Sequence, residues 1–421
     1  MSADGSHGPL AGVKVIELAH VMAGPTCGRM LADMGAEVVK VERLPGGDDT
    51  RRDVVPGEPD SEDSFAFMMM NRNKRGIALD LKTEGGRETL HRMLAGADVM
   101  VENYRHDTLK KLGFDYETLR RRYPRLIYCA VSGFGRTGPY ASRGGFDLIA
   151  QGMSGLMSIT GEGEGRPPVK VGPPITDIAA GILAAMGVCA ALHERGRTGR
   201  GQLVETSLFE AGIVFTYWHA AICFATGDNP GALGSAHPLS APYQAYETAD
   251  GWINIGGASQ ANWQRLVAVL GDARLRDDPR FASNVGRMAN KAALDEILVP
   301  LLRGRPSAAW LAALEEAGVP AGPILSVAEM LRDPQTLARD MVRRVDHPLH
   351  GAVDTIGFPV KFSETPAAIE RAAPLYGEHT REVLAACGYT AKQIEAMIAA
   401  GHAAASEPDA AQARGKAAGG R

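Results

Sequence analysis

Cysteine is scarce and poorly placed for crosslinking: Cys27, Cys129, Cys189, Cys223 and Cys387 are spread over 421 positions, odd in number and nowhere at C-x-x-C spacing. This excludes a disulfide framework and a structural zinc site, and it fits a reducing compartment, so a cytoplasmic location is expected. Positive charge is in slight deficit, 45 Lys plus Arg against 49 Asp plus Glu. With no basic block able to track a phosphate backbone, nucleic acid is not an expected partner. The polar, Gly-rich segment Met1 to Pro9 has neither the basic nor the apolar region of a standard signal peptide. The longest uncharged runs, Ile178 to Leu192 and Ala211 to Gly227, fall short of the roughly 20 residues that cross a bilayer. They are read as buried helices, and no membrane partner is expected.

What is present is an ordinary globular balance, 45% hydrophobic and 22% charged, with 50 Gly and 25 Pro that promise many tight turns. The length suits two or three domains with ample core. β-Branched runs at Val13–Leu18, Glu37–Glu42, Val99–Asn103 and Leu126–Val131 alternate with helical patterns at Cys27–Gly35 and Glu84–Ala97. That alternation predicts an α/β fold with a large Rossmann-like parallel-sheet domain. Helices are expected over Phe146–Thr160 and Asp177–Glu194. A turn-rich stretch at Gly227-Asp-Asn-Pro230 marks the boundary of a smaller α+β domain with a strand pair around Gly251. The expected organisation is a large domain over 1–225, the small domain over 226–335, a return to the large domain over 336–402, and a disordered Ala/Gly-rich tail over 403–421.

A Rossmann-like opening invites a dinucleotide, and Glu42 ends the second strand where a ribose-binding acid would sit. The glycines argue against it: Ala23-Gly24-Pro25-Thr26-Cys27-Gly28 is not the G-x-G-x-x-G that lets backbone approach a pyrophosphate. Gly24 and Gly28 are read as a tight turn and a close helix contact. His219 and Cys223 share a helix face, but no third ligand accompanies them and no metal is expected.

The sequence resembles the family III CoA-transferases, which include formyl-CoA and carnitine CoA-transferases and the related α-methylacyl-CoA racemases. The resemblance spans roughly residues 8 to 400. It rests on His20-Val-Met-Ala-Gly-Pro25, Leu31-Ala-Asp-Met-Gly-Ala-Glu-Val-Val-Lys-Val-Glu-Arg43, Asn73-Lys-Arg75, Leu79-Asp-Leu-Lys82, Val101-Glu-Asn-Tyr104, Asp177-Ile-Ala-Ala-Gly181, Gly199-Arg-Gly-Gln202 and Gly377-Glu-His-Thr380.

The resemblance implies that CoA is a substrate rather than a bound cofactor, that acyl-CoA and a carboxylic acid are the partners, and that the chain is an interlocked homodimer. It makes Asp177 the nucleophile, passing through an aspartyl-acyl anhydride and an aspartyl-CoA thioester. From the residues alone Asp177 reads as a helix N-cap, a position that also favours an ionised carboxylate. By family position Arg43, Leu79, Lys82, Asn103, Tyr104 and Lys111 hold CoA, the cations pairing phosphates and Tyr104 offering a face to adenine. For each of these Lys and Arg residues, a solvated surface charge is an equal alternative. Gly256 and Gly257 match the start of a glycine-rich loop over the intermediates, where a strand-end turn is the alternative.

Departures from the family pattern bear on specificity. Met22 and Phe134 stand where formyl-CoA transferase has glutamine and tyrosine, so the pocket is expected to be less polar and to take an acid larger than formate. Phe146, in Gly145-Phe-Asp147, replaces the histidine of the racemases, and a phenyl ring carries no proton. A core aromatic is its structural alternative. The implied activity is transfer of CoA from a donor such as succinyl-CoA to an organic, dicarboxylic acid; the alternatives are a racemase-type isomerase or a non-catalytic CoA-binding relative. Lys170 and Arg166 are candidates for a distal carboxylate, and His237 is read as a histidine packed in a turn.

Overall fold

A computed structural model describes residues 8–53, 63–163 and 165–406. They form two compact units. The first takes the chain up to Ser154, Gly172–Phe215 and everything described from Pro334; the second takes Gly155–Val171 and Thr216–Asp333. Beside the expected span of 226–335, the second unit therefore begins earlier and gains a preceding segment. Local contacts account for this: Trp218 packs edge-on against His237, 5.7 Å between centroids, and Gly234 donates its N–H to the Gly161 carbonyl at 2.8 Å.

The first unit is built on a seven-stranded sheet of β1 (Lys14–Leu18), β2 (Glu37–Arg43), β3 (Lys74–Leu79), β4 (Val99–Glu102), β5 (Ile127–Ser132), β6 (Leu203–Ser207) and an edge strand at Ala403–Ala404, ordered edge-β3-β2-β1-β4-β5-β6. All pairings are parallel except that of the edge strand, which meets Leu79 and Ala78 antiparallel. This is the doubly wound order of the dinucleotide folds. Residues 403 and 404, expected to open a disordered tail, instead extend the sheet, and Thr380 donates to the Ala404 carbonyl at 2.6 Å. The remainder of that tail, 407–421, lies outside the described residues.

The strands β1 to β5 are largely buried on both faces, as a parallel sheet requires, while β6 is only partly covered; the period of two divides the core. Val15, Val99 and Val101 join the cluster beneath helices α1 (Ala23–Asp33) and α3 (Ile175–Thr198); Ile16, Leu18 and Met100 join Leu90, Met93, Leu384 and Ile394 on the other side. Helix α2 is Asp147–Met153 and α4 is Leu208–Val214. α3 is 24 residues, so the uncharged run read as too short to span a membrane is the middle of a helix long and apolar enough to do so. Its Ala180, Ala184, Val188 and Ala191 lie in the core of the unit, against the sheet and α1. Gly181 sets that contact: a Cβ there would fall 2.6 Å from the Ala23 carbonyl oxygen and from Thr26 Cβ.

The second unit has its own core around Tyr246, Ile255, Trp263, Leu298 and Trp310. It contains the expected strand pair around Gly251, Tyr243–Glu247 with Trp252–Gly256, joined by a third strand at Ala321–Pro323.

Between β1, β2 and the start of β3 lies a network of buried charge. Glu17 takes Lys40 at 3.1 Å on one oxygen and Lys74 at 2.8 Å on the other, and all three side chains have no solvent exposure. Lys40 also reaches Asp48 at 2.9 Å and donates to the Ala19 carbonyl at 2.7 Å, while Lys74 donates to the Pro25 carbonyl and to Asn71. Burial pushes the Lys74 ammonium down to about 8, with Glu17 pulling the other way. Burial also opposes the charge on Lys40, but Asp48 and Glu17 outweigh it and hold that group above the ordinary lysine range. Gly28 is required here, since a Cβ would lie 1.8 Å from Glu17 Oε2. Removing one partner of a buried ion pair leaves an uncompensated charge. Glu17→Gln should therefore cost about 3–5 kcal/mol in urea unfolding monitored by circular dichroism; a loss below about 1 kcal/mol, within the range of exposed pairs, would contradict the assignment.

Candidate active site

The strand order reverses between β1 and β4, so the segments leaving their carboxyl ends diverge and open a crevice. After β1 come His20, Val21 and Met22; after β4 come Asn103 and Tyr104. The Asn103 amide clamps the two together, accepting from His20 N–H at 3.0 Å and donating to the His20 carbonyl at 2.7 Å. The His20 ring meets Tyr104 edge-on at 5.1 Å, and its burial lowers its pKa so that it stays neutral near pH 7.

Beside this clamp is a cleft of about 370 Å³, with Arg43, Leu79, Lys82, Tyr104 and Lys111 in its wall. Five of the six residues expected to hold CoA are thus brought to one surface, although they come from the ends of β2 and β3, the segments that follow β3 and β4, and the short helix Thr108–Leu112. The sixth, Asn103, has its amide engaged by the His20 backbone. Arg43 pairs with exposed Asp49, so the cleft keeps Lys82 and Lys111 as its other cations. Glu42, placed by the sequence where a ribose acid would sit, is instead buried, bound by Arg51 through both oxygens and accepting from Asp48 N–H at 2.9 Å. Both of its oxygens are already engaged within the protein.

Asp177 lies in the first turn of α3, whose N-cap is Pro174. It is therefore inside the helix and not its cap, contrary to the N-cap reading; Pro173-Pro174 ends the preceding extended stretch and the helix starts directly after it. Asp147 does the capping work from the neighbouring helix, with its Oδ1 accepting from Thr176 N–H at 3.0 Å and from Thr176 Oγ1 at 2.8 Å. Burial, with a smaller contribution from the Asp147 charge, pushes the Asp177 carboxyl up to about 7. Among the described residues no cation forms an ion pair with Asp177.

Sequence reasoning passed over Asp147, which caps the Asp177 helix and adds to the Asp177 shift, because in Gly145-Phe-Asp147 it weighs only the phenylalanine. Phe146 is 70% exposed in the single chain and is not the core aromatic considered from sequence. It precedes α2, whose short first turn is directed by Asp147, so its ring has no core to enter. Gly145 packs backbone to backbone on Gly133, where a Cβ on either would fall within 2.6 Å of the other's Cα. That contact joins the Phe146 segment to Phe134, which is buried between Tyr140 and Phe209. Met22 is the N-cap residue of α1, which the small residues of α3 draw close to the Asp177 helix.

Gly256 and Gly257 belong to the second unit. Gly256 ends a strand and donates to the Pro320 carbonyl at 2.7 Å; a Cβ on Gly257 would press on Leu266 at 2.9 Å and Pro242 at 3.0 Å. Ser259 caps the following helix. Arg166 and Lys170 are also in the second unit, Arg166 paired with Glu162 at 2.7 Å. His237 stacks on Tyr243 at 5.2 Å and its Nδ1 accepts from Leu239 N–H.

Residues 10–380 match the model of CoA-transferase family III. The chain belongs to this family. It is 42% identical over 381 residues to the succinate–glutarate CoA-transferase of Agrobacterium fabrum, covering 90% of this chain and 95% of that one. It is 38% identical to the succinyl-CoA:mesaconate CoA-transferase of Haloarcula hispanica, covering 90% and 97%. A solved CaiB/BaiF family protein from Brucella suis superposes with a TM-score of 0.79 at 40% identity, over 90% of this chain and all of that one. The chain is accordingly an enzyme that transfers CoA between acyl-CoA and a carboxylic acid.

The resemblance implies that Asp177 attacks as a carboxylate, and its raised carboxyl then fixes the sign of the pH response. Activity in kcat/KM should rise with pH through about 7, and Asp147→Asn should move that limb lower. Stability should run the other way. Between about 3.8 and about 7 the folded state holds a proton that the unfolded state has released, so stability falls as pH rises. Asp177→Asn should abolish this slope and, above pH 7, unfold about 1–3 kcal/mol later than wild type. Equal stabilities at pH 8 would contradict the shift.

Proposed function

We propose that this enzyme moves CoA from succinyl-CoA to a dicarboxylic acid of glutarate or mesaconate size, as the relatives' names describe for them, with Asp177 as the covalent nucleophile. The observation that carries this reading is Asp177 itself: half-buried, beside Asp147, without a paired cation, and close to the pH of its own ionisation.

An Asp177 oxygen attacks the thioester carbonyl, the C–S bond breaks, and CoA leaves as thiolate with an acyl anhydride on Asp177. The thiolate then attacks the aspartyl carbonyl of that anhydride, releasing the donor acid and leaving an aspartyl-CoA thioester. The acceptor carboxylate attacks this thioester, whose C–S bond breaks to release CoA thiolate and re-form an anhydride, and attack of that thiolate on the acceptor's acyl carbon releases the new acyl-CoA and the free Asp177 carboxylate. Each attack on the partly desolvated carboxyl is stronger than it would be in water. Gly256 and Gly257 are assigned to shielding the intermediates from water on the resemblance alone. Met22 and Phe134 supply an apolar surface in place of hydrogen-bonding groups, which supports a longer acid over formate.

The same reading makes the enzyme a homodimer in the cytoplasm. Its support is an apolar surface near Asp177 that a single chain leaves open, with Phe146 at 70% exposure and Met186 at 64%, flanked by Ile149 and Ile182. The five unpaired cysteines fit a reducing compartment. Light scattering should give twice the chain mass of 44.6 kDa; a fully active monomer would overturn this part.

The activity is tested by incubating the protein with succinyl-CoA and a panel of dicarboxylates and following new acyl-CoA by mass spectrometry. Transfer is expected with wild type, and Asp177→Ala should lower kcat by about 10³-fold or more. An isomerase would instead exchange the α-proton of a branched acyl-CoA with deuterium from solvent and transfer no CoA.

A further inference from the structure

Val21 has φ of +65°. A β-branched residue in this left-handed region is a genuine outlier, with a cost on the order of 1–3 kcal/mol that the surroundings must offset. The residue is 41% exposed, so core packing does not impose the conformation. Hydrogen bonds do. Val21 N–H donates to Asp48 Oδ1 at 3.1 Å, and the same oxygen accepts from Thr50 N–H at 3.1 Å and Thr50 Oγ1 at 2.8 Å. Just before Val21, the Ala19 carbonyl accepts from Lys40 and the His20 backbone is clamped by Asn103. Every residue from Ala19 to Val21 is therefore tied by a side chain that is itself fixed from below.

Asp48 is 1% exposed, with its N–H on Glu42 and its Oδ2 2.9 Å from Lys40. What it holds is the wall of the CoA cleft: His20, Arg43, Gly47, Asp48 and Tyr104 line one small pocket continuous in residues with that cleft. Left to itself, Val21 would relax to negative φ and carry the His20 ring away from Tyr104 and Met22 away from the start of α1.

We propose that Asp48 is a positioning residue for the transfer reaction: it holds Val21 in a strained conformation so that His20 and Met22 form the acyl-CoA-binding wall. This rests on the CoA-transfer reading and extends it to a residue that acts through the backbone of Val21. A structural role alone would lower stability without regard to what stands at position 21. The strain account makes position 21 decisive, because glycine adopts positive φ without strain and no longer needs the carboxylate.

The test uses Asp48→Asn, an isostere that keeps the side-chain volume, alone and combined with Val21→Gly. Free CoA affinity is measured by calorimetry and KM for succinyl-CoA by steady state, with thermal unfolding alongside. Asp48→Asn should weaken CoA binding and raise KM by fivefold or more while kcat stays within twofold. Val21→Gly should leave wild type within twofold and, in the Asp48→Asn background, recover most of the lost affinity. If Asp48→Asn lowers the unfolding temperature but leaves CoA affinity and KM unchanged, or if Val21→Gly recovers nothing, the proposal is overturned. Should Asp48→Asn not fold, Val21→Asn serves: asparagine tolerates this conformation, so it should raise thermal stability with KM unchanged, and a loss of stability would count against strain at Val21. The calorimetric arm needs no turnover, so a chain that binds CoA yet transfers none would fail the functional reading and leave this one standing.

Discussion

One glutamate carries two lysines where no water reaches. Glu17 sits in the middle strand of the sheet with Lys40 and Lys74 on its two oxygens, and the rest of the site is referenced to that point. Lys40 extends the network to Asp48 and the Ala19 carbonyl; Lys74 extends it to the Pro25 carbonyl in the first turn of α1 and to Asn71. Buried ion pairs contribute little net stability when complete and cost much when broken, which makes them good rulers and poor glue. Here the ruler fixes both ends of the segment that leaves β1, the segment on which His20 and Met22 are presented.

The second constraint is closeness. Gly181 in α3 and Gly28 in α1 are each forced by an atom that a methyl group would strike, Ala23 O in one case and Glu17 Oε2 in the other. The spacing Asp177-x-x-x-Gly181 is therefore physical: one turn beyond the carboxylate, the helix surface must be bare so that the start of α1 can meet it. The resulting apolar, cation-poor surroundings leave Asp177 readily protonated, and the negative Asp147 beside it adds to the effect. Nucleophilicity and burial pull in opposite directions here. A carboxylate less hydrated attacks better, yet is present in smaller fraction at a given pH.

Much of the fold was legible because β-branched runs at β1, β2, β4 and β5 state a buried parallel strand without ambiguity. β3 and β6 were not, for opposite reasons. In Lys74–Leu79 the opening lysine reads as surface, and only the tertiary pairing with Glu17 explains its complete burial. In Leu203–Ser207 the strand is short and half polar, with its side chains only partly covered. The start of α3 was placed late because Asp177 reads as a common N-cap, whereas the helix begins at Ile175 with Pro174 as its N-cap. The family motifs singled out Asp177 and the residues expected to hold CoA, and most of the latter line one cleft. Asp147 and Asp48 escaped notice because their roles are hydrogen bonds to backbone far along the chain, a relation that leaves no local pattern.

The central claim is that in each transfer Asp177 gives one oxygen to the released donor acid and takes one from the acceptor, because the anhydride oxygen contributed by the acceptor stays on aspartate when CoA departs with the acyl group. Turnover with a dicarboxylate labelled in its carboxyl oxygens by the heavy isotope, followed by proteolysis and mass spectrometry, reads this directly. The account predicts label in the peptide containing Asp177, accumulating with the number of turnovers and nowhere else in the chain. Complete transfer of CoA with an unlabelled Asp177 peptide would contradict it.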